Sequence, residues 1–268
     1  MMRLTLAPKA RTVFSLSPTL SLTFSPPKQA SLRPFKLKPR TFSVKASMST
    51  QTTVEHIVLF KVKPDADQSK VNTMINNLSG LISLDPVRHL SVGPVLRTGS
   101  SLFTFTHMLH SRYDSKPDLN AYSQHPNHLT VVKESVLPIC EDIMAVDWVA
   151  DQTPNQIVIP AGSAVRVTFL KLKENLGEEV KNEVLGAIKG IKETIGGIEQ
   201  ITCGENFSPA RAKGFSIASI AIFKGLKEME EADSKEELVN LHKEKVKDYL
   251  ESVIVVDYVV PSPSSSSL

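Results

Sequence analysis

Five side chains in the first half of the sequence are of types that move protons: His56, His107, Tyr122, His125 and His128. Three fall in one short run, Ala121–His128, with Tyr122 three residues before His125 and His128 three residues after it. A neutral imidazole takes up a proton near pH 7, and a phenol can hold or protonate an enolate. General acid–base catalysis is therefore one use of the group. Packing is the other, and the preferred one. Buried polar groups normally satisfy one another, and Pro126 suits the first position of a helix, where no N–H donor is needed. His125 then caps that helix and His128 sits one turn inside it.

Other chemistries find little support. No His/Cys/Asp/Glu set has zinc spacing, and there is no glycine-rich phosphate loop or serine nucleophile elbow. Cys140 and Cys203 are too few for a disulfide framework and read as small buried apolar residues in a reducing compartment. Met74, Met108 and Met144 read as core. The 268 residues are 41% hydrophobic and 22% charged, an ordinary globular composition. No apolar run is long enough to span a membrane.

The formal net charge of +3 hides a division. Before Glu55 there is no acidic residue but nine basic ones, leaving 22 basic against 28 acidic residues in the remainder. An acidic body argues against nucleic acid as a partner, because tracking phosphates requires clustered Lys and Arg. The stretch 1–53, rich in Ser, Thr, Pro and basic residues, reads as a chloroplast-type transit segment ending near Val44-Lys45-Ala46. The end, 261–268, is a flexible Pro/Ser tail. Its Ser266-Ser267-Leu268 resembles a peroxisomal signal read by an import receptor, without the usual basic middle residue. The two addresses, chloroplast and peroxisome, conflict.

The elements that must position the five residues are written twice. Phe60-Lys61-Val62-Lys63 matches Leu170-Lys171-Leu172-Lys173, Phe105-Thr106 matches Phe215-Ser216, and Val146-Asp147-Trp148-Val149 matches Val256-Asp257-Tyr258-Val259. All three share a shift of 110 residues. This predicts two domains, 54–150 and 164–260, joined by a linker over 151–163. Each begins with a strand, Ile57–Phe60 or Val165–Leu172, of near period-two apolarity. An amphipathic helix follows: Val71, Met74, Ile75, Leu78 and Leu81 in the first copy, and Val180, Val184, Leu185, Ile188, Ile191 and Ile195 in the second. Asp85-Pro86 and Gly196-Gly197 end these helices. Two strands come next, around Arg88–Val92 and Leu102–Leu109, with counterparts near Gln200–Cys203 and Phe215–Phe223. A helical region over Pro117–Pro138 or Ser234–Leu250, then a strand Ile143–Val149 or Ser252–Val260, completes each unit.

The order β-α-β-β-α-β is the ferredoxin-like unit, an α+β fold with helices on one face of an antiparallel sheet. The other face still needs burial. At about 25 cal/mol per Å2, several hundred Å2 of bare apolar face costs on the order of 10 kcal/mol. Pairing sheet to sheet within one chain removes that cost, and the tether makes the pairing nearly independent of concentration.

HIVLFK at His56–Lys61, FTH at Phe105–His107, AYSQHPNH at Ala121–His128 and VDW at Val146–Trp148 resemble the stress-response A/B barrel family of plants. The resemblance implies a dimeric α/β barrel of two ferredoxin-like halves, here intramolecular, with homodimers known in the family. It implies a stress-associated role, a non-catalytic small-ligand-binding or assembly module being the leading expectation. A cyclase relative closes polyketide chains without a cofactor. By that resemblance His128 is the base, Tyr122 its partner, and His56, His107 and His125 line a ligand pocket. The sequence departs at Leu78, where the relative has a pocket tyrosine. Family members also hold magnesium on main-chain carbonyls, here near Leu78, Leu81 and Leu84.

In the second copy His56 becomes Arg166, His107 becomes Ile217, Tyr122 becomes Ala232, His125 becomes Lys235 and His128 becomes Leu238. The fold therefore does not require the polar cluster. The expectation is that the first copy keeps a ligand site, or an ancestral feature, and the second is scaffold.

Overall fold

The structure, a computed structural model, describes residues 52–100, 103–152 and 154–262. The expected transit segment, apart from Thr52 and Thr53, and the terminal Ser266, Ser267 and Leu268 lie outside the described residues.

The first copy runs β1 (Val54–Val62), α1 (Gln68–Gly80), β2 (His89–Gly99), β3 (His107–Tyr113), α2 (Lys116–Gln124), α3 (Pro126–Val131) and β4 (Cys140–Val149). The second runs β5 (Ala164–Leu172), α4 (Glu178–Lys189), α5 (Ile191–Thr194), β6 (Ile198–Glu205), β7 (Ile217–Phe223), α6 (Leu226–Asp233), α7 (Glu236–Val246) and β8 (Leu250–Val259). All eight strands form one antiparallel sheet in the order β4-β1-β3-β2-β8-β5-β7-β6.

Strand alternation divides the core. On β1, Ile57 and Leu59 join an interior cluster with Met108, Val146 and Trp148 of the first copy and Val167, Phe169 and Ile220 of the second. Their neighbours Val54, Phe60 and Val62 face outward, under Met74 and Leu78 of α1. A matching outer cluster in the second copy packs Val184 and Ile188 of α4 on its own sheet. The apolar sheet faces of the two copies thus bury one another, and the helices cover the outside. Met74, Met108 and Met144 are all fully buried.

Two features of the strands differ from the sequence reading. Strand β2 continues past Val92 to Gly99, and its last turn of ladder belongs to the other copy, with Val95 opposite Tyr258 and Thr98 opposite Val256. Residues 103–106 are not strand, since the second expected strand begins only at His107. The helical region after β3 also breaks at His125, which is extended and caps α3. Pro126 disfavours helical backbone in the residue before it.

The other margin of the sheet is closed differently. Trp148 and Asn206 form an isolated bridge, and Phe207 N donates to Asp147 O at 2.9 Å. Side chains of the linker continue the seam: Asp151 Oδ1 accepts from Cys203 N at 3.0 Å, and Gln152 Nε2 donates to Ile201 O at 2.9 Å. At both seams a glycine admits an aromatic ring from the opposite copy. A Cβ on Gly204 would stand 2.6 Å from Val149 O and 3.0 Å from Trp148 Cδ1. One on Gly93 would stand 2.9 Å from Pro261 Cγ and 3.5 Å from Tyr258 Cε2. Trp148 and Tyr258 occupy equivalent positions in the two copies.

Candidate functional site

The proton-moving side chains lie on the outer side of the first copy's sheet, and three of them, His56, Tyr122 and His128, pack together. The Tyr122 ring lies 4.6 Å from that of His128, 5.3 Å from Tyr113 and 6.3 Å from His56, centre to centre. His56 Nδ1 donates to Asp147 Oδ1 on the neighbouring strand β4. His128 Nδ1 lies 3.0 Å from the Ser123 carbonyl, so that nitrogen carries the proton and Nε2 is the acceptor. His125 does not join the cluster. Its Nδ1 accepts from Asn127 N at 3.1 Å and caps α3.

His107 stands apart as well. It pairs with Phe60, whereas His56 pairs with Ser111, so four residues of strand separate them, roughly 13 Å at the usual rise. Its imidazole contacts Thr106 Oγ1 at 2.9 Å.

Burial sets the electrostatics of the cluster. It raises the Tyr122 and Tyr113 phenols well above their ordinary value and lowers His128. For Asp147, burial pulls upward, but His56, Ser208 and Arg211 outweigh it and hold the carboxyl below the usual range. Ser208 and Arg211 belong to the second copy, on the loop after β6. The site is therefore shared between copies. Its interior is filled: Tyr122 is 1% exposed.

The second copy carries the counterpart of this site, emptied and recharged. Where the first copy has Tyr113 and Tyr122, the second has Phe223 and Ala232. A cavity of about 690 Å3 lies there, between the outer face of the sheet and α4, α5 and α7. Ile188, Ile191, Ile195, Ile198, Ile201 and Val239 are among its walls. Nothing in the sequence signalled this opening; Ala232 stands in its lining, where the first copy has the Tyr122 ring.

Four charged side chains close one side of the cavity. Arg166, in the place of His56, holds Asp257 through Nε at 2.7 Å and Nη2 at 2.9 Å, and Asp233 through Nη1 at 2.5 Å and Nη2 at 3.0 Å. Arg97, at the end of β2 in the first copy, reaches across to bind Asp257 and Asp233. Two cations and two anions neutralise one another. Burial alone would lower the Arg166 pKa, but the two carboxylates raise it. Asp233 is held below the usual carboxylate range, chiefly by Arg166.

A third polar group sits inside the barrel, where sequence reading did not look. Glu55, His110 and Arg112 are all 0% exposed. Arg112 grips Glu55 through Nε and Nη2 at 3.0 and 2.9 Å, and its Nη1 donates to the linker carbonyls of Gln156 and Ile157 at 2.8 and 3.0 Å. His110 Nε2 and Thr202 Oγ1 complete the Glu55 carboxylate at 2.7 and 3.1 Å. Burial pulls this carboxyl upward, but Arg112 and His110 win and hold it far below its ordinary value. Beside them, His89 accepts from Ile159 N at 3.4 Å; burial and the charges of His110 and Arg112 push its pKa down to about 2. In the second copy these inward positions are Val165, Ile220 and Ile222. The available signal was parity: Glu55 and Arg112 share the inward face with Ile57 and Met108.

The carbonyls expected to hold magnesium are engaged. Leu78 O accepts from Leu81 N, Leu81 O from Leu84 N at 3.1 Å, and Leu84 O from Val87 N at 2.9 Å. Each of these oxygens accepts one hydrogen bond and keeps a second lone pair. Among the described residues no group of three or more His, Cys, Asp or Glu side chains could hold a metal. Among the described residues, no helix is long and apolar enough to cross a membrane. Burial pushes the Cys140 and Cys203 thiols up, to about 11 and about 12.

Comparison with known proteins supplies the lineage. A stress-response A/B barrel domain-containing protein of Arabidopsis thaliana is 56% identical over 253 residues, covering 94% of this chain and 96% of its own. A second protein of that description from the same plant is 50% identical over 213 residues, covering 79% and 98%. Among solved structures, a putative monooxygenase from Fusobacterium nucleatum superposes with a TM-score of 0.55 at 15% identity, covering 80% of this chain and 94% of its own. That likeness shows the fold alone. The family model for the stress responsive A/B barrel domain matches twice, over residues 54–150 and 164–260, and the chain belongs to that family.

Proposed function

We propose that the protein is a non-catalytic, stress-associated binding module for a small, largely apolar molecule, held in the cavity of the second copy. The observation that carries this reading is the cavity itself. Its volume of about 690 Å3 lies within the roughly 300–1,000 Å3 of small-molecule sites, and its lining of aliphatic walls with a few grouped polar side chains is the usual pattern of such sites. A packed core has few voids larger than a water molecule, so an open apolar space of this size is a feature to be explained. The test is titration of the full chain with a neutral apolar dye, N-phenyl-1-naphthylamine. Saturable fluorescence enhancement that disappears in Ala232→Phe supports the reading. No saturation, or binding unchanged in that variant, overturns it.

A second reading rests on the first copy. The hydrogen-bonded His56–Asp147 pair lies edge-on to Tyr122, whose ring is 4.6 Å from that of His128, and these are side-chain types that acid–base catalysis in a cofactor-free cyclase would use. It needs a substrate beside Tyr122, in space that rings now fill. Turnover of a polyketide-like thioester, lost in His128→Ala, would favour this reading over the first.

A further inference from the structure

The cavity has a chemical polarity that narrows what it takes. Its walls are largely aliphatic, and the two carboxylates in its lining are already matched, Asp233 and Asp257 by Arg97 and Arg166. One cation in the lining is left over. Lys243, an exposed residue of α7, lines the cavity, and its ammonium has no hydrogen-bond or ion-pair partner among the described residues. Lys247, the residue that ends α7, lies four positions further on and also lines the cavity. The Arg97–Arg166 pair is neutralised, so the unmatched positive charge lies on the α7 side.

His242, beside Lys243 in sequence, is 7% exposed and also lines the cavity, but it is held by the wall: its Nε2 meets Thr194 Oγ1 at 2.6 Å and its ring hydrogen-bonds the Ala187 backbone on α4. Lys243 is therefore the polar group of α7 left to meet a ligand.

We propose that the cavity takes an apolar-chained carboxylate, with the chain under α4 and α7 and the carboxylate against Lys243. This rests on the binding function proposed above and adds the chemical class of its ligand. The apolar walls bury the chain, and Lys243 supplies the attraction that a neutral chain of equal length would not feel. Lys247, already paired with Glu244, adds less.

The experiment uses the full chain, N-phenyl-1-naphthylamine as the reporter, and dodecanoate and dodecanol as competitors below their aggregation limits. Dodecanoate is expected to displace the dye about ten-fold more effectively than dodecanol, the order of a single half-exposed charge contact. The advantage should shrink in 1 M salt, where the screening length falls to about 3 Å, and should vanish in Lys243→Gln, with dodecanol displacement unchanged. Equal displacement by the two competitors, or an advantage that survives Lys243→Gln, overturns the carboxylate assignment and leaves the cavity reading standing. Absence of dye binding overturns both. Circular dichroism of Lys243→Gln, an exposed position, checks that the fold is intact.

Discussion

Tyr122 and Ala232 occupy one position in the two copies of the domain, and the space that the phenol ring fills in the first copy is part of a cavity of about 690 Å3 in the second. Both residues are buried, at 1% and 3% exposure. Tyr122→Ala should therefore destabilise the protein by about 3–5 kcal/mol, the usual loss for removing a large buried ring. Ala232→Phe should change stability far less, because it fills existing space. Urea denaturation of the two variants checks both. A large loss in Ala232→Phe would mean that the cavity cannot accept a ring.

Inside the barrel, removing one partner of the Glu55–Arg112 pair strands the other. Glu55→Val alone should cost about 3–5 kcal/mol, as for other broken buried ion pairs. The second copy shows the apolar alternative, with Val165 and Ile222 at the same positions. Glu55→Val combined with Arg112→Ile should recover much of the loss, since apolar replacement of a whole buried pair is often neutral. A double-mutant cycle in urea measures the coupling.

Stability should fall as the pH drops below about 6.5, before carboxylates titrate. His89 is held neutral in the folded barrel, with a pKa lowered to about 2, while the unfolded chain protonates it near the ordinary histidine value of 6.5. The unfolded state therefore binds the extra proton between those values, and stability declines with falling pH at up to about 1.4 kcal/mol per unit. His110, His128 and His107 are lowered by burial and act in the same direction. Glu55, held far below its ordinary value, adds its own loss only under more acid conditions, below about 4.5. His89→Gln copies Gln200 of the second copy and should flatten the slope between pH 6.5 and 5 in thermal melts. An unchanged slope would show that His89 does not carry it.

The seams give a backbone test. Gly204→Ala drives a methyl group into Val149 O and Trp148, so it should destabilise by more than the few tenths of a kcal/mol typical of exposed strand positions. Gly80→Ala meets nothing within 4 Å and serves as the control. Comparable melting temperatures for the two variants would mean that the seam yields.

The order of elements and the duplication were legible because apolar periodicity and an exact shift of 110 residues survive in the sequence. The His56, Tyr122 and His128 grouping was also legible, since the short Ala121–His128 run keeps two of its members close on either side of the break at His125. The cavity was not. Ala232 stands in its lining, and a search for chemistry-bearing residues passes over an alanine. Arg97 was missed because β2 looked finished at Val92; its last residues are strand only because β8 of the other copy pairs with them. Glu55 and Arg112 were not singled out, because a lone charge on a strand carries no sign that a closed barrel will bury it.

Gly93 and Gly204 each make room for the aromatic ring of the opposite half. That reciprocal fit holds the assembly together at points remote from either outer site. A barrel built from two identical subunits must alter both sites with every substitution. In this fused chain, one half can exchange its imidazoles and phenols for arginine and empty space while the other keeps them, so a single gene product can evolve two unlike specialisations on one frame.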